Sequence, residues 1–322
     1  MNILVYGAGV LGSLYAARLK EAGQNVSILA RGQRLDDIRE HGIVLVDALT
    51  GRTTTTHLTV VEDLEPTDTY DLLVVVMGKH QVSAILPILA ANHLTPTVLF
   101  LHNNAAGPAA MIKALGRERV LLGFSGAGGR REGHRIDYLL IRQQPTTLGE
   151  LDRRSTPRLE QIATAFKEAG FPMAVSSNID AALKTHAVFI TAIEAAICMA
   201  GGSNTELAQR RDLLALMVNA ICEGFHILSM SAVPITPFKL RLLFSWMPRW
   251  FPIWYWQRAL PSKLGEISLA AHANAAPLEI KQLIDEIRML VRATSVPTPA
   301  MDRLYGSMDS GFLNPVQTSD SP

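Results

Sequence analysis

The residues best suited to chemistry stand at the start of the chain. Gly7-Ala8-Gly9-Val10-Leu11-Gly12 follows the apolar run Asn2-Ile3-Leu4-Val5-Tyr6 directly. The spacing is G-x-G-x-x-G between a strand pattern and a helix pattern. Gly7 permits a tight turn, Gly9 lets a pyrophosphate approach the backbone, and Gly12 lets the helix pack on the strand. The helix N-terminus adds free N–H groups and a partial positive charge. A dinucleotide site is expected here. A second group, Arg31 and Arg34, follows the strand pattern Asn25 to Ala30. A chain that binds NAD usually carries Asp or Glu at this strand end to hold the ribose 2′-hydroxyl. This chain has Ala30-Arg31-Gly32-Gln33-Arg34, with no carboxylate and two guanidinium groups. Their planar donor forks suit a phosphate, so NADP is expected. The bland alternative is that both arginines decorate a surface loop.

Around these residues the chain must build a framework. Its 322 residues suggest about two domains, and 48% apolar against 18% charged residues supply a large core. The net charge of +1 offers no basic field for nucleic acid. Two cysteines, Cys198 and Cys222, imply no disulfide framework and fit a reducing cytoplasm. With the first strand pattern at Asn2, no leader peptide is expected. The apolar run Ala187 to Ala200 carries Glu194 and is read as a buried helix, so membrane contact is not expected.

In chain order, Val10 to Ala22 reads as a helix closed by Gly23, and Asn25 to Ala30 as the second strand. Ile43 to Glu62 alternates like a β-hairpin, with Thr53 to Thr56 as a solvated face. Asp71 to Met77 and Thr97 to His102 are continuous apolar runs, as in parallel strands buried on both faces. The second delivers His102-Asn103-Asn104 to the sheet edge where ligands bind. Short strands and the glycine-rich bend Gly126 to Gly129 follow, then a helix from Thr156 to Ala169. From about Asn178 only helices are expected: Ile179 to Ala200, Asp212 to Met230, Leu278 to Ala293 and a last short one through Leu304. The fold class is α/β, a Rossmann-like NADP-binding domain followed by an all-α domain. The expected divisions are 1–174, a helical substrate or dimerisation domain at 175–306, and a disordered tail at 307–322.

Taken together, these stretches resemble the ketopantoate reductase (2-dehydropantoate 2-reductase) family. The resemblance rests on Gly7 to Gly12, Ala30-Arg31-Gly32, Leu101-His102-Asn103, Gly129-Arg130-Arg131-Glu132-Gly133, and Glu279 followed by Val296 to Leu304. It implies hydride transfer from NADPH to a 2-oxo group, in a cleft between the two domains. It also implies where the substrate residues fall. The family's lysine after the third parallel strand falls on Gly78, beside Lys79. Its general-acid lysine falls on His186, and two helix asparagines fall on Ile190 and Glu194. The strand-end asparagine is kept as Asn103 and the late carboxylate as Glu279, while the serine has Ser268 one residue out of register.

Reducing a carbonyl needs donors for the developing alkoxide and a proton source. Asn103 can serve the carbonyl or the nicotinamide ribose. His186, with an ordinary pKa near 6.5, suits proton donation at neutral pH; otherwise it is a packed core histidine. Lys184 competes, but two residues along a helix turn it to a nearly opposite face. Glu279 can accept from a substrate hydroxyl or a protonated His186, or simply favour the dipole of a helix opened by Pro277. Glu194, in an apolar stretch, must be paired or reach a cavity; facing the cleft, it would disfavour a carboxylate substrate. Lys79 and His80 read as a solvated loop. No metal-ligand spacing is present. All four tryptophans lie between Trp246 and Trp256, read first as an aromatic lobe on the helical domain, then as a lid, and last as a membrane-interface patch. The leading expectation is a reductase of a small-molecule carbonyl with an altered substrate site, possible as a homodimer. The rivals are an NADP(H) sensor without turnover, and a hydroxyacyl or opine dehydrogenase.

Overall fold

The computed structural model describes residues 1–313. Among them, eight strands form the main sheet. In chain order they are β1 (Asn2–Tyr6), β2 (Asn25–Leu29), then β5 (Thr59–Val61), β6 (Leu72–Val75), β7 (Val98–Leu101), β8 (Val120–Phe124), β11 (Thr146–Gly149) and β12 (Met173–Val175). Four others, β3 (Ile43–Asp47), β4 (Thr53–Thr56), β9 (Ala127–Glu132) and β10 (Arg135–Leu140), form a second sheet.

The main sheet has the order β12-β11-β8-β7-β6-β1-β2-β5. Its pairings are parallel except for β11 against β8. The apolar runs predicted as strands form its centre. Ile3, Leu4 and Val5 are fully buried, each contributing roughly 1.5–3 kcal/mol of burial. Successive strands diverge on either side of β1, to β2 one way and β6 the other. That reversal opens a crevice at the carboxyl ends of the strands. The register sets Tyr6 beside Leu29 and Val75, and Val75 beside Phe100. The turns that follow, Gly7, Ala30-Arg31, Gly78-Lys79 and His102-Asn103, therefore share one edge.

The expected hairpin at residues 43–62 is only partly so. β3 and β4 do pair as a hairpin, but they join the second sheet through β10. β5 leaves it to pair in parallel with β2 as the edge strand of the main sheet. The glycine-rich bend is also a strand: Ala127 to Gly129 belong to β9.

Among the described residues, only helices follow β12. Ile179–Met199 and Arg211–Met230 form the centre of the helical core, joined by Pro277–Arg292 and Pro299–Leu313. The first two are long and apolar enough to cross a membrane, yet 78% and 61% of their most apolar windows are buried in the protein. Gly201 and Gly202, both at positive φ, end the first. The last helix continues to Leu313 where Leu304 had been the expected end; the rest of the expected tail, 314–322, lies outside the described residues.

Candidate active site

The glycine turn has the shape its spacing predicts. Gly7 has φ +115°, and a Cβ there would lie 2.4 Å from the Val76 carbonyl oxygen. A Cβ at Gly12 would lie 1.9 Å from the Gly7 carbonyl oxygen. Both positions exclude any side chain. Gly9 differs: its Cβ would meet nothing within 4 Å, so the space above it is open. Gly9 precedes the helix Val10–Glu21, which has no acidic residue in its first turn and no side-chain cap. Open space over uncapped N–H groups fits a pyrophosphate. Beneath the turn, Arg34 is buried. Its Nε donates to the Ala8 carbonyl at 3.1 Å and its Nη2 to Ser13 Oγ at 2.9 Å, while Nη1 is buried without a partner. Arg34 thus braces the turn from below, a role the sequence did not suggest. Arg31 lies at the surface. Its Nη2 pairs with Asp63 Oδ1 at 2.5 Å and its Nε donates to the Glu62 carbonyl. The carboxylate missing from the end of β2 is thus supplied by the chain just beyond β5.

The second group gathers where the helical domain meets the ends of β6 and β7. Asn103 Nδ2 donates to Glu279 Oε1 at 3.0 Å. Glu279 faces His272, its Oε2 lying 3.8 Å from Nε2. The other ring nitrogen, Nδ1, lies 2.6 Å from Glu194 Oε1. Glu194 is 1% exposed, so its required partner is His272, and its carboxylate does not face the cleft. The imidazole keeps 32% of its side-chain surface open. His186, Ile190 and Glu194 fall at i, i+4 and i+8 on one face of their helix. Lys184 points away and pairs with Asp180 at 2.6 Å.

Charge follows from this arrangement. Burial works against a charged His272, but Glu194 and Glu279 outweigh it and hold the imidazole well above its ordinary range. Burial raises the Glu194 carboxyl, with His272 opposing. A proton therefore lies between Glu194 and His272, and the second carboxylate, Glu279, draws it to the ring. Burial also acts upward on Glu279, yet His272, Asn103 and His102 bring it below the usual range. His186 is the reverse. Burial, and then the charge of His272, push it down to about 4, and its ring stacks on Phe124 with centroids 4.4 Å apart. His186 is therefore neutral at pH 7, which corrects the expectation of a histidine titrating in the neutral range.

Lys79 is likewise not a solvated loop residue. Its side chain is 10% exposed, and Nζ reaches Glu286 Oε1 at 2.7 Å and Asn104 Oδ1 at 2.6 Å. Glu286 Oε2 also accepts from the Ala105 and Ala106 amides. This cluster ties the end of β7 to the helix Pro277–Arg292. At Gly78 beside it a Cβ would meet the His80 ring at 2.6 Å and Glu279 Oε2 at 3.1 Å, so a side chain there would have to displace His80.

Strand β9 runs between the glycine turn and the helical domain. A Cβ at Gly129 would lie 2.7 Å from Val10, on the glycine turn, and one at Gly128 would lie 2.5 Å from Ser268 Oγ, on the helical domain. Ser268 lies in the π-helical turn Gly265–Ala270, and its Oγ is buried without a hydrogen-bond partner. A π-turn inserts one residue into a helix, which accounts for a serine one residue out of register. Among the described residues no three His, Cys, Asp or Glu side chains gather as metal ligands.

His272 is the functional candidate the sequence reading missed. The available signal was Glu194: a carboxylate in an apolar helix demands a cationic partner.

The chain is also similar to known proteins. Residues 3–153 match the family model described as ketopantoate reductase PanE/ApbA. A 2-dehydropantoate 2-reductase of Listeria innocua is 25% identical over 233 residues, covering 69% of this chain and 73% of its own. Among solved structures, 2-dehydropantoate 2-reductase from Geobacter metallireducens aligns with a TM-score of 0.80 at 18% identity, covering 97% of this chain and 100% of its own. D-mandelate dehydrogenase, solved with NADH and anilino(oxo)acetate, aligns with a TM-score of 0.76 at 18% identity, covering 96% and 99%.

Proposed function

We propose that the chain, whose residues 3–153 match the ketopantoate reductase family model, is a divergent member of that family and an NADPH-dependent reductase of a small 2-oxo acid-like carbonyl, working in the cytoplasm. One observation carries the reading: a part-open His272 stands between the carboxylates of Glu194 and Glu279, beside Asn103 and across β9 from the glycine turn. The open space over Gly9 and the uncapped helix behind it would hold the pyrophosphate. Arg31, on exchanging Asp63 for a 2′-phosphate, would select NADPH. When bound, the nicotinamide supplies the hydride that reduces the carbonyl carbon.

The remaining work falls to side chains. His272 donates a proton from Nε2 to the carbonyl oxygen as negative charge grows there. Glu194 accepts from Nδ1, which fixes the ring and keeps the other N–H aimed outward. Glu279 holds the proton on the ring until it is needed, and Asn103 holds Glu279. Ser268 Oγ, buried and unpartnered, offers a hydrogen bond to the substrate's far end. Ile190 and Phe124 supply the apolar wall, with His186 stacked into it. Because His272 covers Glu194, a carboxylate substrate meets a cation and not a buried anion.

The test is a panel of 2-oxo acids and ketones followed by NADPH absorbance. The His272→Gln variant should lose about 10²- to 10⁴-fold in kcat with NADPH affinity unchanged. The His186→Phe variant, which keeps the stack on Phe124, should stay within about threefold of wild type. NADPH binding with no turnover of any carbonyl would instead support a sensor.

A further inference from the structure

The reductase reading leaves one conspicuous surface unused. The helix Trp250–Ala259 buries Pro252 and Trp256 against the helical core. Its opposite face carries Trp250, Trp254 and Tyr255, which are 59%, 43% and 41% exposed. A surface helix normally turns its polar side outward; this one turns out aromatic rings. Upstream, Phe238, Leu242, Trp246 and Met247 are exposed as well. Exposed apolar patches of this kind mark interaction sites.

Charge narrows the choice of partner. From Gly224 to Gly265 there is no Asp or Glu, while Lys239, Arg241, Arg249, Arg258 and Lys263 all fall within the segment. The Arg241 guanidinium lies over the Trp246 ring at 5.5 Å from its centroid, and that of Arg258 over Trp254 at 4.3 Å. Cations are thus held beside the exposed rings. A second copy of the same face would set like charges against each other with no carboxylate to relieve them. An anionic surface into which rings can sink satisfies both features. The helices here are short, interrupted at Pro248, and too short to span a bilayer. They suit a position in the plane of the headgroups.

We propose that the segment Phe238 to Arg258 is an interfacial anchor that seats the protein on anionic lipid. Tryptophan and tyrosine rings enter the headgroup boundary while Arg241, Arg249 and Arg258 meet lipid phosphates. The anchor is distinct from the reductase site and does not depend on turnover.

All four tryptophans of the chain lie in this segment, so tryptophan fluorescence, excited selectively over tyrosine, reports on it alone. Full-length protein would be titrated with vesicles of phosphatidylcholine, or of phosphatidylcholine and phosphatidylglycerol in about equal parts, with co-sedimentation as a second readout. A blue shift and at least about tenfold stronger partition into the anionic vesicles are expected, weakened by salt at about 0.5 M. Trp250→Ser with Trp254→Ser should lower partition by about tenfold or more, with unchanged melting temperature and unchanged NADPH turnover. Arg241→Glu with Arg249→Glu should abolish the preference for anionic vesicles. Failure to bind the anionic vesicles, or equal binding by the tryptophan variant, overturns the proposal. So does a lipid-free dimer that the tryptophan variant dissociates, which would assign the face to a second copy.

Discussion

Replacing Glu194 by Gln tests the proton-donor assignment at its support. The amide is nearly isosteric, so its oxygen can still accept from His272 Nδ1 at the 2.6 Å position. Only the charge is lost. A charge-assisted hydrogen bond is worth about 1–2 kcal/mol more than a neutral one, which corresponds to roughly 5- to 30-fold in the fraction of protonated ring or in rate. The direction with pH follows from the sign of the shift. His272 is held above its ordinary value by Glu194 and Glu279. In the wild type the proton is present through neutral pH and is lost only as pH rises through the raised value. Removing the Glu194 charge brings that loss to lower pH. The variant should therefore fall below wild type as pH rises, by up to about 5- to 30-fold at pH 8, and approach it near pH 6. The assay is kcat across that range with the best substrate of the panel, with NADPH saturating. A loss equal at both pH values would mean that Glu194 acts by packing alone, and no loss at all would remove His272 as the proton donor.

Three further outcomes are expected. Gly9→Ala, at φ −68° in open space, should fold with stability within about 1 kcal/mol of wild type yet lose NADPH affinity, whereas Gly12→Ala should unfold at markedly lower temperature; calorimetry and NADPH titration separate the two. Arg31→Ala should raise the KM for NADPH about tenfold and leave that for NADH unchanged, while Asp63→Ala, freeing Arg31 from its partner, should lower the KM for NADPH; unchanged ratios in both variants would show that Arg31 selects nothing. Lys79→Met leaves Glu286 buried without its cation and should cost about 3–5 kcal/mol in denaturant unfolding; a cost below about 1 kcal/mol would return Lys79 to the status of a surface residue.

The parts of the molecule legible in the sequence are those fixed by local spacing. The glycine turn, the apolar runs of β1, β6 and β7, and the helix end at Gly23 each depend on residues a few positions apart. What escaped is set by distant contacts. β5 reads as the return strand of a hairpin because nothing local shows that it pairs with β2. His186 stands at the aligned position, but its neutrality follows from the Phe124 stack and the neighbouring His272 charge. His272 meets Glu194 across 78 residues, after a π-turn that shifts the face of everything beyond it. Lys79 looks solvated until Glu286 is brought to it from the far end of the chain.

Among the described residues, two ion pairs join the sheet domain to the helical one, and they are unequal. Lys79–Glu286 is buried at the ends of β6 and β7, whereas Arg130–Glu266 lies near the surface, with side chains 40% and 42% exposed. Exposed pairs are worth little, and breaking a buried one costs several kcal/mol. Of the two, the Arg130–Glu266 pair is therefore the cheaper to break. By these pairs the helical domain is fastened more firmly at the ends of β6 and β7 than beside β9.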